Sequence, residues 1–209
     1  MARTRDEDAR RRILAATRHL LHEHGPLQVG IDDIAREADV GKQTIYRWWR
    51  SKTAVVLDAL GEITEPELRF PDTGSTEEDL RREMRQVTRV LSSDVGPLVR
   101  EIVAAAQGDA QVAEDLRTRV FAHRRRLAAD TLRRGMARGE VRDDLDLEAA
   151  IDALYAPLWL RLIMGHQPLS PKAADAVVDV VWPGLSSLPS APAATARSPR
   201  RRRPAAAGA

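Results

Sequence analysis

Apolar residues recur every three or four positions through most of this chain and almost never alternate, a pattern that predicts helices and argues against strands. Ile13, Ala16 or Thr17, Leu20 and Leu21 line one side of a helix over residues 6–24, which Gly25 and Pro26 should stop. Ile31, Ile34, Ala35 and Ala38 repeat the spacing in a short second helix, with Asp32 and Asp33 in its first turn, where the helix dipole favours carboxylates. Asp39, Val40 and Gly41 break that helix, and a third begins at about Lys42. On the third, Ile45 and Trp49 lie four apart on one face, while Lys42, Gln43, Tyr46 and Arg47 share the opposite one. One face is built to pack and the other to read a partner. Ser51 then caps a fourth helix with Val55, Val56, Leu60 and Ile63 as its stripe.

Residues 65–75, with Pro66, Pro71 and Gly74, form the best domain boundary. Beyond it the pattern predicts a capped helix from Thr76 through Leu91, a break over 92–97, and a helix through Leu98, Ile102 and Ala105. One long helix is expected over 109–138, stopped at Gly139. Asp146 caps the next, over 147–164, which is apolar nearly all round and must be buried on more than one side, with Pro157 expected to kink it or free a carbonyl. Ser170 and Pro171 open the last helix, which Trp182, Pro183 and Gly184 should close. From Ser186 on, Ser, Pro and Ala dominate around Arg200 to Arg203, a composition unable to bury enough surface to fold.

The 209 residues, 43% hydrophobic and poor in aromatics, fit an all-α protein with ample core. The absence of cysteine excludes disulfides and thiolate chemistry and suits a reducing cytoplasm. No apolar run approaches the roughly eighteen residues of a membrane span, and the N-terminus lacks a signal-peptide core, so no membrane partner is expected. Nothing matches a metalloprotease His-Glu pattern, a phosphate-cradling Gly loop or a di-metal Glu-x-x-His pair, which argues against an enzyme and implies no cofactor. His19, His22 and Glu23 share a helix face but lack further spaced ligands for a metal. Net charge is +2, and residues 1–65 carry eleven basic and eleven acidic side chains. Affinity for a polyanion must therefore come from local placement, as over residues 39–52, where four basic residues face one acidic residue.

Two helices joined by a short turn containing Gly describe a helix-turn-helix, whose second helix enters the DNA major groove. Lys42, Gln43 and Arg47 are the candidates for base edges; Thr44, Tyr46, Trp48 and Lys52 are the candidates for phosphate and sugar. Trp48 could equally pack beside Trp49. With Ile31 to Ala35, Val40, Thr44-Ile45-Tyr46, Trp49 and Ser51-Lys52 at these spacings, the stretch resembles the DNA-binding domain of the TetR family of transcriptional regulators. That resemblance covers residues 6–65, with the motif itself at about 29–48. Residues 97–185 also resemble one C-terminal domain type of the family, through Arg138-Gly139-Glu140, Asp144-Leu145-Asp146 and Gly165 to Leu169.

The resemblance implies an N-terminal three-helix head plus a C-terminal helical bundle body forming a dimer. It implies a homodimeric, cytoplasmic regulator, a repressor in the usual case, that binds a pseudo-palindromic operator in double-stranded DNA and is released by a small-molecule effector. On this reading residues 1–5 are a flexible basic arm, 6–65 the DNA-binding domain, 76–185 the ligand-binding and dimerisation domain, and 186–209 a disordered basic tail. Effector identity is not legible, but Phe121, Met136, Tyr155, Trp159 and Met164 could line an apolar cavity with His123 as polar handle. Two departures stand out. Val29-Gly30 replaces the family's usual hydroxyl before the first motif helix, and Gly41 stands where Ser is common, so weaker or more salt-sensitive binding is expected. The alternative is a helical protein-interaction module that has lost sequence-specific DNA reading.

Overall fold

The computed structural model describes residues 2–187, with side chains from Asp6 onward. Most of the expected basic tail, residues 188–209, lies outside the described residues. Helix α1 (Ala2–Gln28) starts four residues before its expected beginning, so residues 2–5 continue the helix instead of forming a separate arm. No Gly or Pro stands there to stop it, and Arg is a good helix former. Gly25, at φ 75°, breaks the helix where a stop was expected, but a further turn containing Pro26 carries it on to Gln28. Helices α2 (Ile31–Glu37), α3 (Lys42–Trp48) and α4 (Lys52–Thr64) follow. The Ser51 side chain accepts a hydrogen bond from Ala54 N at 2.9 Å and so caps α4.

After the expected break, α5 (Thr76–Ser92) opens with Glu77, Glu78 and Asp79 in its first turn and Ser75 as cap. Helix α6 (Val95–Ala106) begins earlier than expected, because Pro97 falls within its first turn, where a missing N–H removes no helical bond. The single helix expected over 109–138 is divided. Helix α7 (Ala110–Leu116) runs into a π-helical turn (Arg117–Phe121), and α8 (Ala122–Ala137) continues from it. Helix α9 (Leu147–Met164) passes through Pro157 and ends at Gly165 in the left-handed conformation. Helix α10 (Pro171–Leu185) likewise runs on through Pro183, one residue beyond the expected stop. Its end is clasped to the α8–α9 loop: Arg142 N donates to Leu185 O at 3.0 Å, Ser187 N to Glu140 O at 2.9 Å, and Val141 forms an antiparallel bridge with Ser186.

Two cores result. In the head, Ile13, Leu14 and Leu21 of α1, Ile34 of α2, Ile45 of α3 and Val55 of α4 are buried together. Ile102 of α6 and Leu116 of α7 belong to that same cluster, so the head is closed partly by residues from beyond the sequence boundary. The second core joins α5, α8, α9 and α10 through Leu80, Met84, Leu132, Ile151, Leu154 and Val178. At Gly135 a Cβ would fall 2.3 Å from Thr76 Oγ1 and 2.7 Å from Val141 Cγ2; only glycine lets α8 approach the start of α5 this closely.

Candidate nucleic-acid interface

The turn between α2 and α3 is made by Asp39, the one non-glycine among the described residues with positive φ (51°), a conformation that Asp tolerates better than most. Gly41 is extended, at φ −74°, and serves as N-cap of α3 without a side-chain bond. Gly30 caps α2 similarly, its N–H donating to Asp33 Oδ2 at 3.2 Å. The N-terminal amides of both motif helices thus lack a hydroxyl partner at the cap.

Helix α3 is held by its inner face. Ile45 is fully buried, and the ring of Trp49 lies in the head core with its Nε1 donating to Asp58 Oδ2 of α4 at 2.7 Å. Asp58 also accepts from Arg119 Nη1, in the π-helical turn of the body, at 2.9 Å. A chain of hydrogen bonds therefore runs from the end of α3 to the body. Outward, Lys42, Gln43, Tyr46 and Arg47 are all exposed, Tyr46 by 51%, and Thr44 is half-buried at the edge of this face. Lys42 is paired with Asp32 of α2, and Arg47 with Asp6 of α1. The hydrogen bond to Asp32 and that residue's charge raise the Lys42 pKa above its ordinary value.

Two further candidates have partners within the head. Trp48, half-buried, packs against the head core beside Trp49, ring centroids 6.3 Å apart, with its Nε1 buried and unpartnered. Lys52 Nζ donates to Pro26 O and Leu27 O, both at 3.3 Å, and braces the end of α1. The Lys52 contacts follow from α4 packing against α1, which the periodicity of either helix alone does not reveal. Of the histidines considered for metal, His19 is bonded through Nδ1 to Glu37 Oε1 at 2.7 Å.

The expected effector cavity does not assemble as one group. Phe121 and Trp159 do meet, centroids 5.2 Å apart and tilted by 44°, at the junction of the two cores. Tyr155 and Met136 pack against the body core, but Met164 is 66% exposed and His123 faces outward against Arg126. Arg124, one residue on, points inward instead. Its guanidinium lies 4.3 Å from the Phe70 ring, donates to Leu68 O at 2.7 Å and to Glu83 Oε1 at 2.8 Å. Tyr155 OH donates to the same oxygen, while Glu83 Oε2 is buried without a partner. Glu83 and Arg124, both missed in the sequence, are the polar centre of the body. A charged residue at a core position of α5 is the signal that could have found them. Two open clefts lie elsewhere, one lined by Arg18, Glu62 and Arg69, the other by Ser92, Arg100 and Arg161.

Burial pushes the Glu83 carboxyl up to about 7, against the pull of Arg124 and Tyr155. A carboxyl raised in the folded state stabilises fully below its unfolded pKa, and that contribution is lost as pH rises through the folded value. The protein is therefore expected to lose thermal stability between about pH 4.5 and 7 on account of this group, and Glu83→Gln to flatten that stretch of the Tm profile. A profile unchanged by the substitution would show that Glu83 is ionised throughout.

Residues 13–59 match the family model described as bacterial regulatory proteins of the tetR family, and residues 70–181 match the tetracyclin repressor-like C-terminal domain. The chain is 40% identical over 162 residues to the uncharacterized HTH-type transcriptional regulator YdeS of Bacillus subtilis (strain 168), covering 78% of this chain and 82% of that one. It is 33% identical over 146 residues to the HTH-type transcriptional regulator AqdR of Rhodococcus erythropolis, covering 69% and 70%. Among solved structures, the TetR family transcription regulator SCO0332 superposes with a TM-score of 0.77 at 34% identity, over 85% of this chain and 98% of that one. With both halves matched and the helix-turn-helix exposed as described, this chain belongs to the TetR family of helix-turn-helix, DNA-binding transcriptional regulators.

Proposed function

We propose that the protein is a cytoplasmic, ligand-responsive repressor that binds a pseudo-palindromic operator as a homodimer and performs no catalysis. The observation that carries the reading is the outward face of α3, where Lys42, Gln43, Tyr46 and Arg47 stand exposed on a helix anchored from behind by Ile45 and Trp49. Lys42, Gln43 and Arg47 meet base edges, while Thr44 and Tyr46 meet the phosphate backbone. Two such heads about 34 Å apart would enter successive major grooves.

Release follows from the Trp49–Asp58–Arg119 chain. Arg119 and Phe121 share one π-helical turn, so a small molecule that parts Phe121 from Trp159 drags Arg119, and with it Asp58 and α4. The effector thereby favours a state in which the heads no longer match the groove spacing.

The test is selection of bound sites from random duplex DNA, followed by gel retardation. Tyr46→Ala combined with Arg47→Ala is expected to weaken retention of the selected site about 100-fold, since one bidentate base contact and one phosphate contact are lost per head. Undiminished retention by that variant would overturn this use of α3.

A further inference from the structure

The head carries as many acidic as basic side chains, an odd balance for a surface that must bind a polyanion. The geometry shows where two of the carboxylates go. Asp6, near the start of α1, pairs with Arg47, and Asp32, in the first turn of α2, pairs with Lys42. Both cations lie on the exposed face of α3, and each is held by a carboxylate from a different helix. All four side chains are at least a third exposed, so neither pair is needed to fill the core.

We propose that Asp6 and Asp32 set DNA-sequence discrimination by competing with phosphate for Arg47 and Lys42. This rests on the use of α3 proposed above. Binding to random DNA is held by cations on phosphate, with release of counterions. A guanidinium already on a carboxylate contributes little to that binding, because it exchanges one anionic acceptor for another. Asp6 meets Arg47 through one oxygen on one guanidinium nitrogen, whereas a matched site offers the two in-plane acceptors of a guanine edge together and draws the side chain away. The carboxylate thus suppresses the wrong complex more than the right one, raising the ratio between them at some cost to total affinity. Asp6 acts through Arg47 and Asp32 through Lys42; both are positioning residues.

The measurement is the dissociation constant of the full chain for its selected operator and for random duplex, over a series of salt concentrations. Asp6→Asn is expected to tighten random-duplex binding about fivefold and operator binding less than twofold. Its log–log salt slope on random duplex should steepen by about 0.9 per head as the freed guanidinium takes a phosphate. Asp6→Glu, which keeps the charge, should restore the original ratio, and the gain should vanish when Asp6→Asn is made together with Arg47→Ala. Asp32→Asn should repeat the pattern through Lys42.

If Asp6 only braces α1, Asp6→Asn weakens both complexes alike, and the proposal fails. If the carboxylate merely repels DNA, the gain survives in the Arg47→Ala background, and the proposal fails again. Failure of the underlying reading looks different, because Arg47→Ala alone would then leave operator binding unchanged. Thermal melting of each variant shows that the compared proteins are folded.

Discussion

Replacing Ile163 and Val180 with glutamate is expected to leave a folded monomer that no longer retains operator DNA. Leu160, Ile163 and Met164 of α9 are 54%, 50% and 66% exposed, and Val180 of α10 is 80% exposed, although these same helices bury Leu158, Leu162, Val177 and Val178 against the body core. A helix apolar on both its buried and its open side has a second surface to cover. A second copy of the same pair of helices covers it in the homodimer proposed above. Across a twofold axis each substitution is repeated on both sides of the seam, so two glutamates per chain bring four unpaired charges into a desolvated surface. The monomer itself should fold, because the replaced side chains do not pack in its core. Operator affinity then falls by about 10²- to 10⁴-fold, since the second head is no longer delivered at high effective concentration. Sedimentation analysis beside gel retardation checks this; a variant that stays dimeric and keeps full retention would place the seam elsewhere.

Trp49→Ala is the second large effect, and it acts inside the head. Trp49 is 1% exposed, stands at the C-cap of α3, and ties that helix to α4 through Asp58. Truncating a buried tryptophan costs about 3–5 kcal/mol. That is a large share of the roughly 5–15 kcal/mol holding a typical domain together. For a chain of this size the Tm should fall by about 10 °C, with loss of DNA retention. Trp49→Phe keeps most of the packing and loses the Nε1 bond, so a drop of a few degrees is expected. Calorimetry decides, and an alanine variant melting within about 2 °C of the parent would show that Ile45 alone anchors α3.

The all-helical pattern, the caps at Ser51, Asp146 and Ser170, and the inward placement of Ile45 and Trp49 were legible in the sequence, because each depends on residues within one or two turns of one another. The gap between helices over 65–75 was legible for the same reason. Prolines misled it: Pro97 and Pro183 lie within helices, where position relative to the helix start and tertiary packing outweigh the local preference. The π-helical turn was invisible, since nothing in the spacing around 117–121 reports that Arg119 must reach Asp58 while Phe121 meets Trp159. Long-range partners around the motif were hidden as well. Lys52 at the start of α4 meets carbonyls at the end of α1, and Trp48 meets the head core, contacts that no local spacing reports.

What the sequence by itself determined, then, is an all-helical chain with a helix-turn-helix near its start and an exposed polar face on the third helix, because amphipathic spacing and capping are local physics. Only the tertiary structure decided that Asp6 and Asp32 pair with Arg47 and Lys42, that Glu83 and Arg124 form the polar centre of the body, and that Ile102 and Leu116 from beyond residue 75 help to close the head core. Those pairings join residues dozens of positions apart, and burial and charge proximity between them exist only once the helices have docked.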